Sequence, residues 1–253
     1  PDTILASVMF GNNEIGTIEP IKELCEIAHK HGVMFHTDGV QATGHINIDV
    51  KDLGVDMLTM AAHKMYGPKG LGALYVKKGI KLIPTLHGGG QEFGLRSGTE
   101  NVPGIVGFGV AAEIAKDRLA NGKDKELAKL RDYFIEGMLE KVPDLHLTGA
   151  EGDERLPFHT SFTVEGIEGE GMLLLLDHAG IAASSGSACT SGSLEPSYVL
   201  LATGIDHATA HGSLRLTMSH ETTKDDLDYV LEVFPNIVGK LRAISPFYKK
   251  NKK

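Results

Sequence analysis

Through its first 76 residues the chain alternates short apolar runs with amphipathic stretches, and that alternation restricts the fold more than any other feature. ILASVMF (residues 4–10) reads as a buried strand. EPIKELCEIAHKHG (19–32) reads as an amphipathic helix with Pro20 near its start and Gly32 as its stop. VMFHTD (33–38), VDMLTM (55–60) and GALYV (72–76) follow as further strands. Strands alternating with helices predict a mainly parallel α/β sheet, and such sheets place ligands beyond the carboxyl ends of their strands. Just past three predicted strand ends lie Asn12–Asn13, Asp38 to Gln41, and His63–Lys64, so these polar residues are expected to converge on one site.

The second half changes character. Residues 102–119 and 123–141 are expected to be helices, and TKDDLDYVLEVFPNIVGKLRAI (223–244) a closing helix with a kink at Pro235. HTSFTV (159–164) and SLRLTM (213–218) read as strands, and IAASSG (181–186) as a strand fading into a loop. GEGMLLLLDHAG (169–180) reads as a short buried helix whose run Leu173–Leu176 packs into the core. Together they predict a smaller α+β domain over residues 121–253, beside part of a larger domain over 1–120.

With 42% apolar residues the chain can bury a real core. Its net charge of −8 argues against nucleic acid or an anionic membrane surface as partner. No apolar run is long enough to span a bilayer. Two cysteines, Cys25 and Cys189, make neither a disulfide framework nor a cysteine-rich metal site, which suits a reducing, cytoplasmic compartment. The opening PDTILASVMFGN has no basic leader and no initiator Met, so the chain is expected to be a piece of something longer.

Two motifs carry chemistry. In AAHKMYGPKGLGALYV (61–76), Lys64 follows a strand and precedes a glycine-rich turn. In a desolvated cleft such a lysine loses its charge more readily and suits Schiff-base chemistry. The ordinary alternative is a loop lysine in water. In HTDGVQATG (36–44), Asp38 ends a strand, where a buried carboxylate needs a cationic or hydrogen-bonding partner such as a pyridinium nitrogen. A helix N-cap would use the same residue, and the residues alone leave the two readings even. Other signals read plainly. GFGVAA (107–112) lies within a helical pattern and does not follow a strand, GGGQEFG lacks the phosphate-loop spacing, His207 and His211 read as helix-side histidines with no metal site, and Cys25 reads as buried and inert.

NNEIG (12–16), HTDGVQATG, AAHKMYGPKGLGALYV, GGGQEFGLRSGTEN (88–101) and SSGSACTSGSLEPSYVL (184–200), in this order and spacing, resemble the cysteine desulfurases of the NifS/IscS type, members of the class V aminotransferases. The likeness runs over essentially the whole chain. It implies a pyridoxal 5'-phosphate enzyme of fold type I, the aspartate-aminotransferase-like fold, N-terminally incomplete here, that works as a homodimer. The implied reaction takes sulfur from L-cysteine, leaves L-alanine, and passes a persulfide to an acceptor such as an iron–sulfur scaffold or a thiolation protein. By the same resemblance Lys64 holds the cofactor as a Schiff base and Asp38 faces its ring nitrogen. Asn13 and Gln41 hydrogen-bond near its phenolic oxygen, His63 helps hold the phosphate, and Thr99 reaches the phosphate of the other subunit. Arg215 clamps the substrate carboxylate, with Asn13 beside it, and Cys189, in a loop of the long kind, accepts the sulfur.

Two departures accompany the resemblance. The family's N-terminal third, with its Gly/Thr phosphate turn and ring-stacking histidine, has no counterpart here, and Ala61 stands where many members have a serine or threonine. Weak cofactor binding by this chain alone is therefore expected. A selenocysteine lyase or another β-elimination enzyme on the same scaffold, and a non-catalytic module that docks sulfur acceptors, are the competing readings. Loss of sulfur transfer in Cys189→Ala separates the desulfurase from the lyase.

Overall fold

A computed structural model describes residues 2–186 and 195–248. They divide into two compact units, one of residues 2–11 and 19–121, the other of residues 12–18 and the described residues from 122 onward.

The first unit is built on a four-stranded sheet in sequential order: β1 (Leu5–Met9), β2 (Met34–Asp38), β3 (Met57–Ala61) and β4 (Gly72–Val76). β1, β2 and β3 are parallel, and β4 turns back antiparallel to β3. Crossover helix α1 (Ile21–Lys30) starts after Pro20 and buries Ile21, Cys25 and Ala28, the spacing of one apolar helix face. Gly32, at φ +72°, sits just past its end, in the left-handed backbone region where glycine is at ease. Cys25 is buried as expected, and burial pushes its thiol pKa up. A one-turn helix, α2 (Val50–Leu53), is capped by the Asp49 side chain. Helix α3 (Val102–Ala120) absorbs GFGVAA, is capped by Asn101, and buries only its small residues Gly104, Ala111 and Ala115. Val102, Ile105, Val106, Val110 and Ile114 on the same helix are exposed.

The second unit has a three-stranded antiparallel sheet, β5 (Leu145–Leu147), β6 (His159–Val164) and β7 (Ser213–Thr217), with β6 in the middle. Alternation along β6 and β7 separates two faces. Phe162, Val164, Leu214 and Leu216 point into a core shared with α4 (Lys123–Lys141), α5 (Gly169–His178) and the long closing helix. His159, Ser161, Thr163, Ser213 and Arg215 lie on the opposite, polar face. Two short helices, α6 (Tyr198–Ala202) and α7 (His207–His211), precede β7, and α8 (Lys224–Ile244) closes the chain behind a Thr223–Asp226 capping box, continuing through Pro235.

Two sequence expectations are corrected here. IAASSG makes no strand: only Ser184 bridges, its N–H and C=O pairing with those of Arg215 at 3.0 and 2.7 Å. The small, flexible Ser185 and Gly186 offer little side-chain packing to extend the pairing beyond Ser184. The leucine run is also not wholly core. Leu176 is buried, but Leu174 is 67% exposed, because helix periodicity turns it away from the face that carries Met172 and Leu176.

Candidate active site

β2 ends at Asp38, and parallel pairing sets Met9 of β1 on one side of it and Thr59 of β3 on the other. Phe35 and Thr37 are buried, so alternation sends His36 and Asp38 to the opposite face, where both are half-buried. One Asp38 carboxylate oxygen accepts the Val40 N–H at 2.9 Å, while its backbone carbonyl accepts Phe10 N–H at 2.8 Å. The N-cap alternative is overturned: residues 39–42 form turns, and no helix begins there. Gln41 lies half-buried in that turn, which Gly39 C=O closes by accepting Ala42 N–H at 3.0 Å and Thr43 N–H at 2.8 Å. Behind Asp38 on the same face, His36 bridges Ser7 Oγ and Thr59 Oγ1, each at 2.7 Å, tying the three parallel strands together.

β3 runs into a single 3-10 turn, Ala62–Met65, that carries His63 and Lys64. Its backbone is tightly determined. Tyr66 sits at φ +67° and donates its N–H to Ala62 C=O. A Cβ on Gly67 would fall 2.9 Å from that same carbonyl oxygen, so only glycine fits without a shift. Buried His45 donates from Nε2 to Lys64 C=O at 2.7 Å, pinning the turn from below. Lys64 and His63 are both exposed, which corrects the expectation of a desolvated lysine. The turn projects past the sheet edge, and only its flanks, Ala62 and Met65, are buried. Within this unit the structure thus places Asp38 and Lys64 at the ends of adjacent strands.

Thr99 lies exposed in the irregular stretch before α3, where Ser97 Oγ donates to Leu86 C=O at 3.0 Å and Gln91 Oε1 accepts Gly98 N–H at 3.1 Å.

Asn13 belongs to the second unit and meets Arg215 there. Residues 12–18 lie over 148–156, with Leu156 N–H donating to Gly16 C=O and Ile18 N–H to Glu154 C=O, both at 2.8 Å. Asn12 Oδ1 accepts the N–H groups of Glu14 and Ile15 at 2.8 and 3.0 Å, shaping the turn. Ile15 packs with Leu200 and Ala210, and buried Glu14 accepts the Ser197 hydroxyl at the start of α6. Arg215 Nη1 donates to the backbone carbonyl of Asn13 at 2.6 Å, and His159 Nε2 donates to the same oxygen at 3.0 Å. The loop that His159 and Arg215 hold is backed by two fully buried arginines. Arg131 donates to the carbonyls of Arg155, Leu156 and Gly152 at 2.8–3.1 Å, and Arg155 to those of Ala150 and Thr148. Burial, with Arg131 adding to it, lowers the Arg155 pKa to about 10, leaving it charged at neutral pH.

His207 and His211 sit on α7 with ring centroids 4.8 Å apart, and His207 Nε2 lies 3.6 Å from Glu195. Cys189 lies outside the described residues. Sequence reasoning missed His45, His159 and Glu14. The alternation of polar residues in HTSFT could have marked His159, since a polar face on a wholly buried strand needs partners.

The donor set fits pyridoxal phosphate. A lysine amine and a carboxylate stand at neighbouring strand ends, the pairing that a Schiff base and a ring pyridinium require. Among the described residues no group of three His, Cys, Asp or Glu side chains is placed to hold a metal. No helix among them is long and apolar enough to cross a membrane.

Residues 1–230 match the family described as Aminotransferase class-V. The chain is 53% identical over 255 residues to a protein of Clostridium botulinum (strain Hall) named cysteine desulfurase IscS, covering 99% of this chain and 64% of that protein. A solved structure called NifS-like protein superposes with a TM-score of 0.85 at 37% identity, covering 95% of this chain and 62% of the other. Another, SspA in complex with cysteine, superposes with a TM-score of 0.69 at 34% identity over 88% of this chain and 61% of the other. The chain therefore spans less than two thirds of the length of the relatives it matches.

Proposed function

The chain belongs to the class V aminotransferase family, and from that premise we propose that it is the greater part of a cysteine desulfurase dependent on pyridoxal phosphate. The observation that carries the reading is the placement of the Asp38 carboxylate and the Lys64 turn at adjacent strand ends. Lys64 would hold the cofactor covalently, and Asp38 would pair with its ring nitrogen. Gln41, His63, Thr99 and the Asn13 side chain would complete its hold. Bound there, the cofactor supplies an electron sink for the bond electrons released at the substrate Cα.

The protein's own groups do the rest. With the cofactor held there, the Lys64 amine would take the substrate Cα proton and later return one. Arg215 orients the substrate carboxylate, a task suited to a planar guanidinium. The Cys189 thiolate attacks the substrate sulfur, and the C–S bond electrons stay with the carbon fragment. Protonation of that fragment gives L-alanine, and the sulfur remains as a persulfide on Cys189. The sum is L-cysteine plus a thiol giving L-alanine plus a persulfide, with atoms and electrons balanced. The structure with cysteine bound that this chain resembles supports L-cysteine as substrate, and the motif resemblance to the NifS/IscS type implies an iron–sulfur scaffold or a thiolation protein as acceptor. A homodimer is supported by the apolar side chains that α3 leaves exposed. A cytoplasmic setting is supported by the two cysteines of the chain, too few for a disulfide framework.

The test is turnover of L-cysteine with added pyridoxal phosphate. Alanine should form, with a persulfide trapped on Cys189, and Lys64→Ala should abolish both. Alanine formation that survives in Lys64→Ala would refute the reading.

A further inference from the structure

His159 is 1% exposed, as deeply buried as the neighbouring Arg131 and Arg155, and the proposed mechanism gives it no part. It opens β6, and alternation puts it with Ser161 on the polar face of the sheet. Pairing of Ser161 with Arg215 and of His159 with Thr217 makes His159 and Arg215 diagonal neighbours on that face. Their donors end on one atom, the carbonyl oxygen of Asn13. A carbonyl can only accept, so the histidine proton is on Nε2 and Nδ1 is bare. Nδ1 has no hydrogen-bond partner among the described residues. Gly16 closes over it: a Cβ there would fall 2.6 Å from Nδ1, and its φ of +75° suits glycine alone. The ring is thus fixed in one tautomer and one plane. Burial, reinforced by Arg155, Arg215 and Arg131, disfavours its charged form despite the bond to Asn13.

A carbonyl oxygen has two lone pairs, and here each has one donor. If the imidazole is removed, the Glu14 N–H of the same peptide stays on Asn12 Oδ1, but the oxygen keeps Arg215 as its one described side-chain donor and loses the opposing grip. We infer that His159 is the positioning residue for Arg215: by holding the Asn13 carbonyl from the other side it sets where the carboxylate-binding guanidinium stands. The inference rests on the reading of Arg215 as the carboxylate clamp.

Three variants test it on the full chain. His159→Phe keeps the ring volume and removes the donor, His159→Gln returns an N–H near the Nε2 position, and Arg215→Lys tests the clamp itself. The readouts are calorimetric affinity for L-alanine, the amino-acid product, and the side-chain NMR signals of Arg215. Loss of one hydrogen bond of this kind predicts affinity about tenfold weaker in His159→Phe, a shifted Arg215 signal, and recovery of both in His159→Gln. Should the Phe variant not fold by circular dichroism, His159→Asn, whose amide stops short of the carbonyl, replaces it against Gln. Parent-like affinity and parent-like Arg215 signals without the donor, while Arg215→Lys loses binding, would overturn the positioning role and leave the clamp intact. Unchanged affinity in Arg215→Lys would sink the clamp instead. The Arg215 signal alone then decides whether His159 positions it. In the parent protein, ring nitrogen shifts that show an Nδ1–H tautomer would contradict the geometry directly.

Discussion

Acid should destabilise the second unit through His159 before it does so through the surface carboxylates. The imidazole pKa falls from 6.5 to about 3 on folding, first through burial and then through Arg155, Arg215 and Arg131, with the Asn13 bond opposing. Below pH 6.5 the unfolded chain takes up a proton that the folded chain refuses. Stability from this residue is therefore whole above that pH and is lost as the pH falls toward 3. The full difference amounts to about 5 kcal/mol at about 1.4 kcal/mol per pH unit, an upper bound that local relaxation reduces. Between pH 7.5 and pH 5 a single such group accounts for about 2 kcal/mol. Urea unfolding of the parent and of His159→Gln at pH 7.5, 6 and 5 measures it directly (pH values about these settings suffice). The parent should lose about 2 kcal/mol more than the variant over that range, with the m-value unchanged. Parallel pH profiles for the two proteins would show that the imidazole is not held neutral, and the account of Asn13 and Gly16 around it would fail.

Other consequences are quicker to check. Gly67→Ala places a methyl group 2.9 Å from Ala62 C=O, so it should distort the Lys64 turn, lower stability by about 1–3 kcal/mol and slow pyridoxal phosphate uptake, followed by absorbance. Arg131→Leu removes the Arg131 donor from the carbonyls of Arg155, Leu156 and Gly152, the last two of which keep a backbone donor, and should cost about 1.5–3 kcal/mol in urea unfolding. Cys25, 1% exposed and with its thiol pKa raised by burial, should resist a thiol reagent in the folded protein and react only in denaturant, read by peptide mass mapping.

The strands of the first sheet were legible because each is an apolar run ended by glycine or a polar turn, and Asp38 and Lys64 fall at those ends by simple counting. What escaped was contact across sequence distance. The segment 12–18 directly follows the first strand in sequence, yet its backbone bonds go to Glu154 and Leu156, far along the chain. No local pattern announces such a partner. β5 is three residues long and lies between Pro143 and a buried Thr148, too short for alternation to show. His159 looked like any strand residue, and its meaning depends on Arg215 and Asn13, which approach it from separate parts of the sequence. Lys64 was expected to be desolvated because motifs tell which groups take part. Exposure is set by what covers the turn, and a motif does not contain that.

The central claim is that Lys64, at the strand end beside Asp38, is the residue that holds pyridoxal phosphate. Reduction of the cofactor-treated protein with borohydride, followed by peptide mapping, tests it most directly. The account predicts a single pyridoxyl adduct, on Lys64, and a large loss of that adduct in Asp38→Ala. An adduct spread over surface lysines, or one on Lys64 that is indifferent to Asp38, would contradict it.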